Sequence, residues 1–237
     1  MFCGLNEMNA NLEQIIKIYS TQSHKKLAES LLDFSKDDLI ALFVDLLTIY
    51  INDKNSSTLR EFVTVSLSGY SHNTKKIGFN GFRQTINGIP INCEAKPKNI
   101  CTQDFIDYKN GLRKNSPDKL NASGNFTDYT WARLEKDKVS NLNMLVSGFI
   151  DGQLVYILEF PFCTDTFIQK LEEQLKKRFP DGDKSGEYLR SASFSFKDFT
   201  NKENLKCVYV IEKKKLESMS PYINSSLYEY LLEKAND

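Results

Sequence analysis

Apolar residues recur at helical spacing through the first part of the chain. They stand three or four positions apart in 11–19 and 23–33, which predicts two amphipathic helices. Ser35 precedes a turn that contains two acids, as at a helix N-terminus, and a third helix is predicted over 36–51. A polar break then separates it from a fourth predicted helix over 57–69.

The spacing of the apolar residues then changes to that of strands. Residues 76–79 form a short strand candidate, and a hairpin is predicted in which Thr85-Ile86 and 89–93 flank the turn Asn87-Gly88. Asn-Gly favours a type I′ turn, because that turn needs positive φ at both central residues. Pro90 indicates that the second strand starts at an edge or a bulge of the sheet.

The second half of the chain alternates between irregular and regular patterns. Residues 107–140 are polar, which indicates a long loop of the kind that often has a function. Asp151-Gly152 is a turn signal between two apolar runs and predicts a second hairpin. The remaining predicted elements are the hairpin strands 143–150 and 153–160, the helices 164–179 and 225–234, and the strands 188–199 and 205–212.

The order of these elements is helices, a sheet, a helix, more sheet and a last helix. This order predicts an α/β fold in which helices flank a mixed central β-sheet. No shift in composition marks an internal boundary. We therefore expect one domain over 1–237, with a helical part at 1–70 and a sheet core at about 71–237.

The composition is that of a globular protein, with 41% hydrophobic and 26% charged residues. No apolar run reaches the roughly 18 residues of a membrane span, and residues 1–11 lack the pattern of a signal peptide. A cytoplasmic protein with no membrane partner is therefore expected. The five cysteines form no C-x-x-C pair, and the two histidines stand at no metal-ligand spacing. Disulfide frameworks, zinc sites and histidine-metal hydrolases are disfavoured accordingly.

The net charge is zero, whereas a protein that coats DNA without specificity is usually strongly basic. The charge is unevenly distributed, because residues 71–120 contain nine Lys or Arg and four Asp or Glu, an excess of five positive charges (nine minus four). A basic segment in a neutral chain is compatible with a cleft for nucleic acid and also with an ordinary solvated surface.

Two charged residues in this basic segment carry the candidate chemistry. Glu94 and Lys96 lie two residues apart on a predicted strand, so both side chains face the same way. A carboxylate beside an ammonium is suited to hold a divalent cation and orient a water, while the lysine stabilises developing negative charge. The E-x-K tripeptide is common by itself. Here an apolar strand and a hairpin turn precede it, and Pro97 is expected to end the strand.

From Glu61 to Asn99, about forty residues, the chain resembles the PD-(D/E)XK nucleases. In that superfamily an acid on one strand is followed, after a short hairpin, by (D/E)-x-K on the next strand, and a preceding helix often adds a Glu. Glu94 and Lys96 match the second acid and the lysine, and Glu61 lies on the preceding predicted helix. The position of the first acid falls on Asn80. The resemblance thus implies a catalytic set of Glu94, Lys96, Asn80 and Glu61, with Asn80, Glu94 and Glu61 around Mg²⁺.

The resemblance also implies a function and a fold. It indicates a type II restriction endonuclease with a restriction-endonuclease-like fold, which hydrolyses double-stranded DNA at a short specific site with Mg²⁺. Symmetric sites are read by two-fold dimers, so a homodimer is expected. Two alternatives stay open: a repair or RNA-processing nuclease of the same superfamily, and a catalytically silent nucleic-acid-binding protein that keeps the fold.

Asn80 departs from the family pattern, because a neutral amide is a poor ligand for a hard cation. No acid occurs between Lys75 and Glu94 to replace it. Three explanations stay open. Asn80 is an engineered substitution that inactivates the enzyme, or it is natural and Glu61 and Glu94 carry the metal, or the motif is false and Glu94–Lys96 is a surface ion pair.

Residues of the types that bind phosphates and base edges are concentrated in the predicted long loop and just before it. Tyr129 and Trp131 have rings suited to stack on bases, although anchoring the loop is the simpler role. For each polar residue an ordinary solvated loop is an equal alternative. The candidates for DNA contact are Lys98, Arg113, Lys114, Asn115, Lys119, Asn125, Thr130 and Arg133.

Overall fold

The N-terminal part of the protein is helical in the computed structural model, which describes residues 10–52, 57–73, 79–200 and 204–236. The helices are α1 Ala10–Thr21, α2 His24–Leu31, α3 Lys36–Asn52 and α4 Thr58–Leu67. Each coincides with a helix predicted from the apolar spacing, so these four predictions are confirmed.

Helix α3 begins at a reciprocal cap. The Asp38 N–H donates to Ser35 Oγ and the Ser35 N–H donates to Asp38 Oδ2, both at 3.2 Å. The helix is apolar on several sides: Leu42 is buried, whereas Phe43 is 61% exposed. No helix in the described ranges, α3 included, has both the length and the hydropathy to cross a membrane.

The central sheet has the strand order β1-β2-β3-β5-β6-β8 within the described residues. Strands β3 and β5 run parallel, the other neighbours run antiparallel, and β4 and β7 form a separate antiparallel ribbon. The bounds of these strands and of the remaining helices are β1 Ser71–His72, β2 Gly81–Arg83, β3 Ile91–Ile100, α5 Thr102–Lys109, β4 Gly124–Tyr129, α6 Trp131–Ser140, β5 Asn143–Ile150, β6 Gln153–Pro161, α7 Asp165–Arg178, β7 Leu189–Phe194, β8 Lys206–Val210, α8 Lys213–Met219 and α9 Ser225–Lys234. The predicted mixed sheet flanked by helices is confirmed.

Two apolar layers cover the two faces of this sheet. Helices α1, α3 and α4 lie on one face, where Val65 of α4 packs with Cys93 and Ala95 of β3. The ribbon of β4 and β7 lies on the other face with α6, α7 and α9, around Phe126 and Phe167. Successive side chains of a strand point to opposite faces, so the residues next to Cys93 and Ala95 face the second layer.

The turn between β2 and β3 differs from the prediction. Gly88 has φ +75° and its N–H donates to Thr85 O at 3.0 Å, but Asn87 is not left-handed, so the turn is not type I′. Residues 84–90 form a loop and Thr85-Ile86 is not a strand. The ladder ends early because Pro90 has no N–H to donate and the Thr85 hydroxyl bonds Ile89 O at 2.7 Å.

The other predictions from the sequence have mixed outcomes. The second hairpin is confirmed, since Asp151 and Gly152 have φ +49° and +81° as a type I′ turn requires. The predicted long loop at 107–140 is wrong, because it contains β4 and α6, and α8 was not predicted. Of the strand candidate 76–79, residues 76–78 lie outside the described ranges and Phe79 is not in a strand.

A buried polar network connects Tyr70, just after α4, to strands β5 and β6. The Tyr70 hydroxyl donates to Glu159 Oε1 on β6 and accepts from Asn143 Nδ2 at 2.7 Å. Lys206 Nζ lies 3.6 Å from Glu159 Oε2. Burial raises the pKa of Tyr70, and the bond to Glu159 acts in the same direction. The hydroxyl therefore stays protonated and serves as a donor to a buried carboxylate.

Replacing Tyr70→Phe should lower the free energy of unfolding by about 1.5–3 kcal/mol, because a buried carboxylate loses a hydrogen bond. The control is Tyr188→Phe, whose ring is 52% exposed and which should change stability by less than about 0.5 kcal/mol. Urea unfolding at neutral pH measures both. Equal effects of the two substitutions would contradict the structural role of the network.

Candidate functional site

Strand β3 carries the candidate chemistry and lies inside the sheet, between β2 and β5. Lys96 Nζ donates to Glu94 Oε1 at 2.6 Å. The prediction that Pro97 ends the strand is wrong, because β3 continues to Ile100. The Ala95 N–H points toward β2, so Pro97, two residues on, lacks its N–H on the side where the pairing with β2 has already ended at Cys93.

The second apolar layer holds the Lys96 side chain in place. Its Nζ lies 4.6 Å from the centre of the Phe126 ring on β4. A Cβ at Gly124 would lie 2.9 Å from Lys96 Cβ, so the ribbon approaches β3 closely at this point. The side chains of Glu94 and Lys96 are only 10% and 21% exposed. The pair is therefore a largely buried ion pair, and the explanation of the motif as a surface pair is wrong.

Asn80 uses all four of its hydrogen-bonding groups. Its backbone N–H donates to Cys93 O at 2.9 Å, and its carbonyl accepts from the Asn73 N–H at 2.7 Å. Its side-chain Oδ1 accepts from the Ala95 N–H at 2.8 Å, and its Nδ2 donates to Glu61 Oε2 at 3.2 Å. Asn80 thus joins the start of β2 to β3 and to helix α4.

The four residues of the predicted catalytic set are connected through the backbone of β3. Asn80 bonds the Ala95 N–H, between Glu94 and Lys96, and reaches Glu61 with its other amide group. Glu61 lies on α4, which packs on the face of Cys93 and Ala95, whereas Glu94 and Lys96 face the β4 side. Asn80 therefore lies between Glu61 on one face of β3 and the Glu94–Lys96 pair on the other face.

The Asn80 side of this arrangement does not fit a metal ion as it stands. The amide oxygen, the atom suited to a hard cation, already accepts from Ala95. The amide nitrogen directs its hydrogens at the Glu61 carboxylate, where a cation would have to be. The reverse orientation of the amide would set an NH₂ group against the Ala95 N–H, so the bonding pattern favours the orientation described.

A further acid, which the sequence did not single out, stands on the face of Glu94. Asp137 of α6 is 8% exposed, and its Oδ1 accepts from Asn141 Nδ2 at 3.4 Å. Its Oδ2 lies 3.7 Å from Arg133 Nε. Burial raises the pKa of Asp137 and the charge of Glu94 acts in the same direction, while Arg133, Tyr129 and Lys96 oppose them. In the sequence, Arg133 and Asp137 look like an ordinary i, i+4 pair on a solvated helix.

The donor chemistry of this face fits a hard cation better than that of the Asn80 side. In the described ranges no group of three or more His, Cys, Asp or Glu is placed to hold a metal ion. Glu94 and Asp137 nevertheless provide two carboxylates in one layer, and Mg²⁺ is commonly held by one or two carboxylates and several waters. Within the described residues no donor meets hydrogen-bond geometry with the buried Oδ2 of Asp137, although the Tyr129 hydroxyl is close enough to lower the pKa of this carboxyl.

Several of the candidate DNA contacts are engaged within the protein. Lys98 Nζ lies 3.8 Å from Asp118 Oδ2, and Arg113 donates to Asp104 Oδ2 at 2.6 Å. Arg133 donates to Thr127 O in addition to its contact with Asp137. The remaining candidates divide into Thr130, which caps α6, Asn125, which donates to Ser191, and the exposed Lys114, Asn115 and Lys119.

Tyr129 and Trp131, the two aromatic residues suited to stack on bases, have structural contacts instead. Tyr129 is fully buried, and its ring stacks on Phe126 with the centres 4.9 Å apart. Trp131 Nε1 donates to Phe179 O at 3.1 Å. The suggestion that the Tyr129 ring stacks on a base is therefore wrong, and the simpler role of anchoring the segment is the one it has.

No protein-family model matches the chain, and no curated protein matches it. The function therefore has to be inferred from the contacts of the site itself.

Replacing Asn80→Asp in the presence of EDTA should lower the free energy of unfolding by about 1–3 kcal/mol. The substitution removes the donor to Glu61 and sets two carboxylates against each other. Asn115→Asp, at an exposed position, is the control and should change stability by less than about 0.5 kcal/mol. Chemical unfolding gives both values. An unchanged stability of Asn80→Asp would show that the hydrogen bond from the Asn80 side-chain amide to Glu61 is not formed.

Replacing Asp137→Asn should stabilise the protein in EDTA, and the gain should grow with pH. The fold favours the protonated acid, so ionisation of Asp137 destabilises the folded state as pH rises above 3.8, the ordinary pKa. The loss is complete once pH exceeds the raised pKa of the folded state, whereas the amide does not ionise. Urea unfolding of both proteins between about pH 4 and pH 8 tests this. A difference that is constant or that falls with pH contradicts it.

Proposed function

We propose that this protein is a nuclease that hydrolyses phosphodiester bonds of double-stranded DNA at a short specific site, in the manner of a type II restriction endonuclease. The observation that carries the proposal is the buried Glu94–Lys96 pair on an interior strand, with position 80 bonded to the backbone between them. The bond from Asn80 to Glu61 supplies the helix residue that the resemblance to PD-(D/E)XK nucleases implies.

The chemistry assigned to each residue follows from its contacts. Glu94 would hold Mg²⁺, which when bound polarises a phosphate and lowers the pKa of a bound water. Lys96, 2.6 Å from Glu94 Oε1, would stabilise the negative charge that develops on the phosphate. The Phe126 ring lies 4.6 Å from Lys96 Nζ and the β4 backbone at Gly124 lies close to Lys96 Cβ, so β4 packs along the Lys96 side chain. Glu61 would act through position 80, because it contacts that side chain.

The DNA would approach along the exposed polar residues between α5 and β4. Lys114, Asn115 and Lys119 are exposed there, and Lys96 itself is partly exposed. Contacts of this kind bind phosphates, so DNA binding is expected to weaken as salt increases. A homodimer is part of the proposal, because two identical active sites are needed to cut both strands of a symmetric site.

A second candidate function is favoured by the bonding of Asn80. The backbone N–H and C=O and the side-chain Oδ1 and Nδ2 of Asn80 all form hydrogen bonds without a metal ion. This is expected of a catalytically silent nucleic-acid-binding protein. The two functions differ in what Asn80→Asp does. In a nuclease the carboxylate restores a missing charged ligand, whereas in a silent protein it only destabilises the site.

The experiment is cleavage of plasmid DNA that contains many sequence contexts, in Mg²⁺ and in EDTA. The chain as given should bind DNA and cut slowly, and Asn80→Asp should raise Mg²⁺-dependent cleavage by several orders of magnitude. Adding Glu94→Gln or Lys96→Met to that variant should abolish the cleavage, while Glu135→Gln, on an exposed side chain of α6, should not. Thermal melting shows that each variant is folded at the assay temperature.

The proposal fails if Asn80→Asp gives no specific fragments from a folded protein. DNA binding without cleavage would then favour the silent binding protein. Cleavage of an RNA substrate in preference to the plasmid would favour the RNA-processing nuclease instead.

A further inference from the structure

Buried oxygen atoms without hydrogen bonds are concentrated on one side of β3. Four of the six buried side-chain polar atoms that lack a hydrogen-bond partner within the described ranges are Asn92 Oδ1, Tyr129 Oη, Asp137 Oδ2 and Asn141 Oδ1. Asn141 is 3% exposed, Asp137 8%, and Tyr129 is fully buried. Buried polar atoms are almost always paired. The Tyr129 hydroxyl and the Asp137 carboxyl are close enough to act on each other's pKa, so these two groups partly satisfy each other. The orphaned amide oxygens of Asn92 and Asn141 still indicate that something else binds there.

These oxygens lie on the same side of β3 as the Glu94–Lys96 pair, whose charges act on the pKa of Asp137. Asn92 precedes Glu94 by two residues on β3 and therefore faces the same way, and its carbonyl accepts from the Leu142 N–H, next to Asn141. Tyr129 stacks on Phe126, whose ring lies against Lys96 Nζ. The oxygens thus belong to one layer between β3 and α6.

The chemical type of these atoms identifies the class of ligand. Amide and carboxylate oxygens only accept hydrogen bonds, and the Tyr129 oxygen is an acceptor as well as a donor. A hard divalent cation takes oxygen ligands of these types. Among the described contacts the ion pair of Asp137 Oδ2 is with Arg133 Nε, which lies 3.7 Å away, beyond hydrogen-bond distance. The Lys96 charge acts on the Asp137 carboxyl in the same direction as Arg133. Arg133 therefore offsets the carboxylate charge without satisfying its oxygen.

We infer that Asp137 and Glu94 together hold a divalent cation of the Mg²⁺ class between β3 and α6, with Asn141 Oδ1 as a neutral ligand. Asp137 is thus a second acidic ligand beside Glu94, on the face of β3 opposite to the Asn80–Glu61 contact. Arg133 competes with the ion for the Asp137 carboxylate and has to move aside when the ion binds. The inference rests on the proposed function for the role of the ion, but binding of the ion is measurable without any reaction.

The experiment is titration of the full chain with Mn²⁺, with free Mn²⁺ followed by electron paramagnetic resonance. Tb³⁺ is a second probe, because Trp131, the only tryptophan, begins α6 and sensitises the luminescence of an ion bound near Tyr129. Asp137→Asn and Glu94→Gln should each weaken Mn²⁺ binding at least about tenfold. Arg133→Gln should strengthen it, because the competing charge is removed.

The matched control is Asp104→Asn, which removes an acid from an exposed ion pair with Arg113 and should leave Mn²⁺ binding unchanged. Absence of Mn²⁺ binding by the original chain overturns the inference, and the orphaned oxygens are then paired by water alone. Binding that survives Asp137→Asn overturns it as well. If Asp137→Asn does not fold, the opposite effects of Glu94→Gln and Arg133→Gln decide, and both must be seen.

The outcome is separable from that of the cleavage assay. Mn²⁺ binding that depends on Asp137 and Glu94, in a protein whose Asn80→Asp variant cuts no DNA, supports the cation site and refutes the nuclease. Cleavage by Asn80→Asp that is unaffected by Asp137→Asn supports the nuclease and refutes the role of Asp137.

Discussion

The parallel pairing of β3 with β5 is the constraint on which the rest of the structure depends. Parallel neighbours need a crossover connection, and here residues 101–142 provide it. That crossover contains β4 and α6, which cover one face of β3, while α4 covers the other. Because a strand directs successive side chains to opposite faces, the crossover determines that Glu94 and Lys96 lie on the same side of β3 as Phe126 and Asp137.

The site contains charged groups that are costly to bury and an asparagine whose polar groups are all hydrogen-bonded. A buried ion pair such as Glu94–Lys96 contributes little net stability, but removing one partner leaves an uncompensated charge in the apolar layer. Asp137 is also a charge held where burial disfavours it. Asn80 has the opposite character, since each of its polar groups is satisfied. Charged groups whose burial is unfavourable are therefore found on the β4 side of β3. Such groups are more frequent at functional sites than in purely structural regions.

The sequence predicts what local spacing determines. The four N-terminal helices and the Asp151-Gly152 hairpin follow from residues close together in the chain, and so does the common direction of Glu94 and Lys96. What it misses depends on distant partners. Strand β4 forms because it pairs with β7, and α6 begins where the Asp183 carboxylate accepts from the Trp131 and Ala132 N–H groups. The burial of Asp137 was not predicted for the same reason, because it depends on the second layer and not on the neighbouring residues in the sequence.

The position of β3 in the middle of the sheet has a consequence for biosynthesis. When the ribosome has released the chain only as far as residue 120, β3 has its β2 neighbour but not β5, so one long edge of Ile91–Ile100 is unpaired. An open edge of this kind pairs readily with other chains and favours aggregation. The pairing that closes it spans more than forty residues of sequence, and such non-local contacts form slowly. The strand that carries Glu94 and Lys96 is therefore fully paired only after β5 has been synthesised, well after β3 itself.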